Sequence, residues 1–300
     1  MRGSISKIPI LMMLAISLVG YSFGQESVQI SGSVILESLE IDSEILGKKM
    51  RYNIYLPRDY HTSTMKYPVL YLLHGYSDDE TGWTQNGQVK RIADDLIDRH
   101  EAAPMIIVMP DGGITWYVNC SDGERYEDYF VEELMPHIEE NYKARKGRQF
   151  AGIAGLSMGG YGSMMMGLRH PDLFSAVGSL SGGFFTDDEI RDMGQEQWDR
   201  LLGQPFGEGV SGEERLKGNY EEYSPEEMIS QYKEKKGNVR FYIDCGDDDF
   251  LILGNMNLHA LMLKEKVQHE FRVRDGAHTW SYWRSGLRSV LPFVSESFHR

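Results

Sequence analysis

At 300 residues, with 41% hydrophobic and 25% charged side chains, the chain has the material for one sizeable α/β domain. Its formal net charge of −14 repels phosphate backbones and anionic lipid, which excludes nucleic acid as a partner. Two cysteines, Cys120 and Cys245, are too few for a cross-linked scaffold, and no Cys/His grouping has metal-ligand spacing. Two buried free thiols are expected, with neither metal nor cofactor.

Residues 1–7 form a short cationic head, residues 8–19 an apolar run too short to span a bilayer, and Ser22 and Gly24 offer a cleavage point. Residues 1–24 are therefore expected to be a signal peptide. It would send a domain over 25–300 to secretion or the periplasm, with no membrane span. Residues 27–41 and 49–56 alternate like strands of an opening antiparallel hairpin. Residues 67–73 and 105–109 are continuously apolar, as central strands covered on both faces would be.

Between those runs, residues 89–99 carry helical spacing at Ile92, Leu96 and Ile97. Residues 126–142 read as one amphipathic helix buried along Tyr129, Phe130, Leu134, Ile138 and Tyr142. Strands are expected at 149–154, 175–181, 239–244 and 270–273, and a closing helix at 281–298. Strands alternating with helices predict an α/β fold with a mostly parallel central sheet and helices on both faces. One long polar interruption, residues 182–237, reads as a cap over the site or as a solvated excursion.

The chemistry begins at Gly155-Leu156-Ser157-Met158-Gly159, which lies between an expected strand and a small-residue helix. Strand, sharp Gly-x-Ser-x-Gly turn and helix together are the nucleophile elbow of α/β-hydrolases, with Ser157 as nucleophile. A serine hydroxyl needs a base, and the base needs an orienting carboxylate, in the order Ser, Asp or Glu, His along the chain. The loop after strand 239–244 supplies Asp247, Asp248 and Asp249, and the loop after strand 270–273 supplies His278. Chemistry alone leaves the choice among the three aspartates open. An oxyanion hole needs two amides, expected from Met158 and from Tyr76 in the Leu73-His74-Gly75-Tyr76 segment.

These segments resemble the esterase D-related branch of α/β-hydrolases, which includes the feruloyl and acetylxylan esterases of carbohydrate esterase family 1, S-formylglutathione hydrolases and mycolyltransferases. The resemblance rests on His74-Gly75-Tyr76 through Trp83, Gly155 through Gly160, Cys245 through Leu251, and Gly276 through Trp283. It implies Asp249 as the triad aspartate, with Asp247 as runner-up, and His278 as the triad base. The His-Gly pair and the expected export depart from the S-formylglutathione hydrolases.

The expected function is thus a secreted serine carboxylesterase that removes acetyl or feruloyl groups from acylated polysaccharide or oligosaccharide such as xylan. Trp83, Trp116, Tyr117 and Trp280 are the candidate substrate-binding rings, placed to stack on a sugar or phenolic acyl group. Two other readings remain: an acyltransferase or esterase on another exported ester such as a siderophore ester, and a catalytically inactive glycan-binding protein.

Overall fold

A computed structural model describes residues 32–298, so the expected signal peptide lies outside the described residues. Eight strands form one sheet: β1 (Val34–Ser43), β2 (Lys48–Leu56), β3 (Val69–Leu73), β4 (Ile106–Pro110), β5 (Ala151–Leu156), β6 (Ala176–Leu180), β7 (Arg240–Gly246) and β8 (His269–Arg274). Their order is β1-β2-β4-β3-β5-β6-β7-β8. The opening hairpin β1–β2 and the β2–β4 pair are antiparallel, and every later pair is parallel. This is the α/β-hydrolase arrangement that the alternation of elements predicts. Among the described residues, no helix is long and apolar enough to cross a membrane.

β3 and β4 are buried throughout, as their unbroken apolar runs require. Alternate residues of β3 serve opposite layers. Tyr71 and Leu73 join the core under the helix Met158–Arg169, whereas Leu70 and Leu72 join the core under the helices Val89–Asp98 and Trp280–Ser297. Catalytic chemistry in such sheets belongs at the carboxyl ends of the parallel strands, where the loops can converge.

Two boundaries differ from the sequence reading for identifiable reasons. Gln149 and Phe150 form a tight turn, Arg148–Phe150, ahead of β5 instead of opening the strand. The helix expected over 126–142 is assembled from Tyr126–Tyr129, a wider π turn Phe130–Leu134, and Met135–Asn141. Pro136 lacks the amide that a regular α-helix would use there, so the ladder has to be rearranged.

The interruption at 182–237 is not a solvated excursion. Its short helices bury Ile190, Trp198, Leu202 and Phe206 in the main core. The helix Asp187–Asp192 starts with a reciprocal capping box between Thr186 and Glu189. Cys120 and Cys245 are both buried and free, and burial pushes the Cys245 thiol up to about 12.

Glu127 ties this segment to the end of the helix Met158–Arg169. Its buried carboxylate accepts from Arg169 Nε at 2.8 Å and from the Tyr223 hydroxyl at 2.6 Å, and it pairs with His170 Nε2 at 2.7 Å. Burial disfavours the charge, but the bonds from His170 and Arg169 outweigh it and hold Glu127 at about 2, below the usual 4.5. A carboxylate depressed in the folded state stabilises fully above its unfolded pKa and loses that contribution as pH falls from 4.5 towards about 2. Glu127→Gln should therefore cost about 3 kcal/mol near neutral pH, because Arg169 loses its buried partner. Urea unfolding from about pH 6 to about pH 3 should show the gap to wild type narrowing as the solution is acidified. A gap that is constant across that range would remove the carboxylate's charge from the account.

Candidate active site

β5 runs straight into Ser157, whose backbone sits at φ 53° and ψ −119°, a conformation L-residues avoid. The following helix begins at Met158, so the serine stands at a sharp reversal between strand and helix. Gly159 makes the reversal possible: a Cβ there would lie 2.6 Å from the Leu73 carbonyl oxygen at the end of β3. Ser157 is gripped on both sides. Its amide donates to the Leu180 carbonyl at 2.9 Å, and its own carbonyl accepts from Gly183 at 2.9 Å and Tyr161 at 3.0 Å.

His278 and Asp249 reach this serine from the loops that follow β8 and β7. His278 Nε2 lies 2.9 Å from Ser157 Oγ, and His278 Nδ1 lies 2.9 Å from Asp249 Oδ2. Asp249 is buried and also accepts the Leu251 amide at 2.9 Å. Burial works against its charge, but the bonds from His278, the Leu251 amide and the Ser181 hydroxyl together keep its pKa below the ordinary value. An ionised Asp249 fixes the proton on Nδ1 and leaves the Nε2 lone pair facing the serine hydroxyl.

The same geometry separates the three aspartates. Asp247 is exposed, and its carboxylate accepts the Gly276 amide at 3.0 Å, while the Asp248 amide donates to the Gly276 carbonyl at 3.0 Å. Asp247 and Asp248 thus join the aspartate and histidine loops, and Asp249 alone faces the imidazole. Among the described residues, Asp247, Asp248 and Asp275 are the only trio with ligand oxygens close enough for a metal ion, all within 4.8 Å and all exposed.

The turn after β3 brings the second candidate amide to the serine. Gly75 lies beside it: a Cβ there would stand only 2.6 Å from Leu156 Cδ1 and at ordinary contact, 3.4 Å, from Ser157 Cβ. The Gly75 carbonyl accepts the Asp78 amide at 3.2 Å and the His74 Nδ1 proton at 2.8 Å. His74 Nε2 accepts the Gly112 amide at 2.8 Å, which assigns the Nδ1–H tautomer to this buried ring. Met158 opens its helix, so its amide has no intrahelical acceptor. Tyr76 thus lines the same cavity as Ser157, and Met158 follows the serine directly at the start of its helix.

A cavity of about 510 Å³ opens over Ser157, walled by Tyr76, Phe185, Leu201, Phe250, Trp280 and Trp283 among others. Here the structure corrects the aromatic assignments. Of the four expected substrate-binding rings only Trp280 lines the cavity; Trp83, Trp116 and Tyr117 are buried away from it. Their polar atoms are occupied in holding backbone: Trp83 Nε1 donates to the Leu73 carbonyl at 2.9 Å, Tyr117 to the His74 carbonyl at 2.9 Å, and Trp116 Nε1 to the Leu201 carbonyl at 2.7 Å. The reason is energetic, since a buried indole N–H or phenol needs an acceptor, and backbone carbonyls at the end of β3 and in the 182–237 segment supply it.

Phe250, Phe185 and Leu201 went unnoticed in the sequence. Phe250 directly follows Asp249 and leans over the His278 ring at 4.6 Å, a position its adjacency to the carboxylate could have signalled. Phe185 and Leu201 come from the irregular 182–237 segment, where no periodicity marks which side chains face the cavity.

Residues 43–294 match the model of the family described as "Putative esterase". The chain belongs to this esterase family. An endo-1,4-beta-xylanase/feruloyl esterase of Xylanibacter ruminicola is 37% identical over 158 residues, 50% of this chain and 22% of that protein. The chain thus matches about a fifth of that relative's length. An acetyl esterase of Caldicellulosiruptor saccharolyticus is 25% identical over 230 residues, 76% of this chain and 83% of its own. A solved ferulic acid esterase is 35% identical with a TM-score of 0.75, covering 89% of this chain and 99% of that one.

For this esterase-family chain, the relocated Tyr117 gives a direct test. Tyr117→Phe leaves the His74 carbonyl without its buried donor and loosens the turn that carries Tyr76. We expect kcat to fall about tenfold on acetyl and feruloyl esters alike, with KM little changed. A loss confined to feruloyl esters would put the ring against substrate.

Proposed function

We propose that the protein is a serine carboxylesterase that removes acetyl or feruloyl groups from plant polysaccharide such as xylan, with Ser157, His278 and Asp249 as its triad. The observation that carries this reading is the unbroken hydrogen-bonded path from Ser157 Oγ through both ring nitrogens of His278 to Asp249. The likeness to feruloyl and acetyl esterases supports the choice of acyl groups. Residues 1–24 belong to the same proposal as an export signal, and residues 182–237 as a cap contributing Phe185 and Leu201 to the cavity wall.

In this mechanism Ser157 Oγ attacks the ester carbonyl carbon as its proton passes to His278 Nε2. The carbonyl oxygen becomes an oxyanion and accepts from the amides of Tyr76 and Met158. Asp249 stabilises the imidazolium without taking its proton. The intermediate then expels the alcohol, which receives that proton from Nε2, and the acyl group stays on Ser157. Water repeats the sequence: His278 removes its proton, the hydroxide adds to the acyl carbon, and collapse frees the carboxylic acid and returns the proton to Ser157.

Ser157→Ala should lower kcat on aryl acetates by roughly 10⁶ while the protein stays folded. A fluorophosphonate probe should label the wild type and not this variant. Ordinary turnover by Ser157→Ala would overturn the assignment. Turnover of methyl ferulate measured beside acetate release from acetylated xylan decides between the two acyl groups.

A further inference from the structure

The cavity beside Ser157 contains one carboxylate that the hydrolytic relay leaves unused. Asp78 ends the Gly75–Asp78 turn, so it rides on the loop that carries the Tyr76 amide, and it lines the cavity with Ser157 and His278. Its side chain is partly buried and lies over Gly82, whose missing Cβ would stand 2.8 Å from the carboxylate. Neighbouring acids have donors. Asp79 accepts from the Thr81 amide and hydroxyl at 2.8 and 2.7 Å, and Asp111 from the Gly113 amide at 2.9 Å. Among the described residues, no hydrogen-bond donor of the protein reaches the Asp78 carboxylate.

Its electrostatic surroundings do not neutralise it either. Burial, the main cause, pushes the Asp78 acid up, and the charge of Asp79 reinforces it. Among the described residues, no lysine or arginine lines the cavity; apart from His278, the other lining groups are backbone, apolar, aromatic or hydroxyl-bearing. The formal charge of −14 on the whole chain adds to the same sign. An anion entering this cavity meets the Asp78 carboxylate in its wall, with no lysine or arginine among the described wall residues to receive it. In a partly wet site that repulsion corresponds to about tenfold in binding.

We propose that Asp78 is a specificity-determining residue, a charge filter that admits neutral esters to Ser157 and turns away esters carrying a carboxylate or phosphate near the scissile bond. The inference rests on the Ser157-centred hydrolytic reading and narrows its substrate class. Esters of neutral sugars and of methanol pass the filter. Thioesters of glutathione, an anion, do not, although their hydrolases resemble this chain in fold.

The test compares kcat/KM on 4-nitrophenyl acetate with kcat/KM on 4-nitrophenyl hemisuccinate, whose acyl group ends in a carboxylate. Asp78→Asn keeps the shape and removes the charge, so the hemisuccinate-to-acetate ratio should rise about tenfold. Asp78→Glu should keep the low ratio of the wild type. Raising salt from about 0.02 to about 0.5 M should lift the ratio in wild type, where charge is screened, and much less in Asp78→Asn. An unchanged ratio in folded Asp78→Asn overturns the filter, as does a wild-type ratio that ignores salt, which needs no variant to fold. Activity persisting in Ser157→Ala would instead overturn the hydrolytic reading, so the two failures are distinguishable.

Discussion

The structure around the strand-to-helix reversal depends on one backbone constraint: Ser157 is held where an L-residue resists being held, at φ 53° and ψ −119°. Such a conformation costs on the order of 1–3 kcal/mol and persists only if its surroundings over-determine it. They do so through the bond from Ser157 to the Leu180 carbonyl, the bonds from Gly183 and Tyr161 to its own carbonyl, and a helix buried from Met158 through Leu168. The sequence pattern of glycines follows from this packing. The elbow helix must approach the end of β3 closely enough for carbonyls and helix backbone to touch, which leaves no space for a Cβ at Gly159.

From that fixed point, a second layer of aromatic donors sets the loops. Trp83 holds the Leu73 carbonyl, Tyr117 the His74 carbonyl, and Trp116 the Leu201 carbonyl. Tyr76 donates its hydroxyl to the Arg200 carbonyl at 2.6 Å, and Trp283 donates its indole N–H to Ser181 at 3.1 Å. Each is a large ring whose body is packed and whose single polar atom ends on backbone or a hydroxyl near the site. These rings therefore act chiefly to hold the loops around Ser157 in place. Trp116 and Tyr117 both adopt left-handed backbone, φ 54° and 64°, which their burial and hydrogen bonds make tolerable.

How much of this was legible in the sequence depends on the range of the interaction. The strands were readable because buried parallel strands are unbroken apolar runs, and the elbow because its local strain demands glycine at fixed offsets. The order Ser157, Asp249, His278 followed from topology, since each loop leaves the same edge of the sheet. Which aspartate turns inward was not readable from residue chemistry and came only from the family resemblance, which implied Asp249. Asp247, Asp248 and Asp249 differ only in how the two loops cross, and that is decided by backbone bonds to Gly276. Aromatic placement failed for the same reason: a tryptophan on a loop looks identical in sequence whether it faces solvent or a carbonyl. The wall residues Phe185 and Leu201 sit in a segment of short helices with no sustained period, so nothing local distinguished them.

The histidine loop raises a further question, because it leaves β8, an edge strand with partly exposed residues, yet must place an imbalance-sensitive ring to within a hydrogen bond. The answer lies beneath it. Arg274, the last residue of β8, grips the fully buried Asp244 of β7 with Nε at 2.9 Å from Oδ2 and Nη2 at 3.0 Å from Oδ1. The Tyr242 hydroxyl donates to the same carboxylate at 2.7 Å, and Tyr282 of the closing helix donates to it as well. A buried ion pair of this kind adds little net stability over an apolar replacement, because desolvation offsets most of the attraction. Its advantage is directional: a bidentate guanidinium with every carboxylate oxygen occupied tolerates one register and one strand-end position. With β8 pinned at Arg274 and the closing helix pinned at Tyr282, His278 is suspended between two fixed points. Its ring is then trapped edge-on by Trp283 at 4.8 Å and covered by Phe250 at 4.6 Å. An edge strand can thus hold His278 within hydrogen-bond reach of Ser157 and Asp249 because charge, more than apolar packing, fixes where that strand ends.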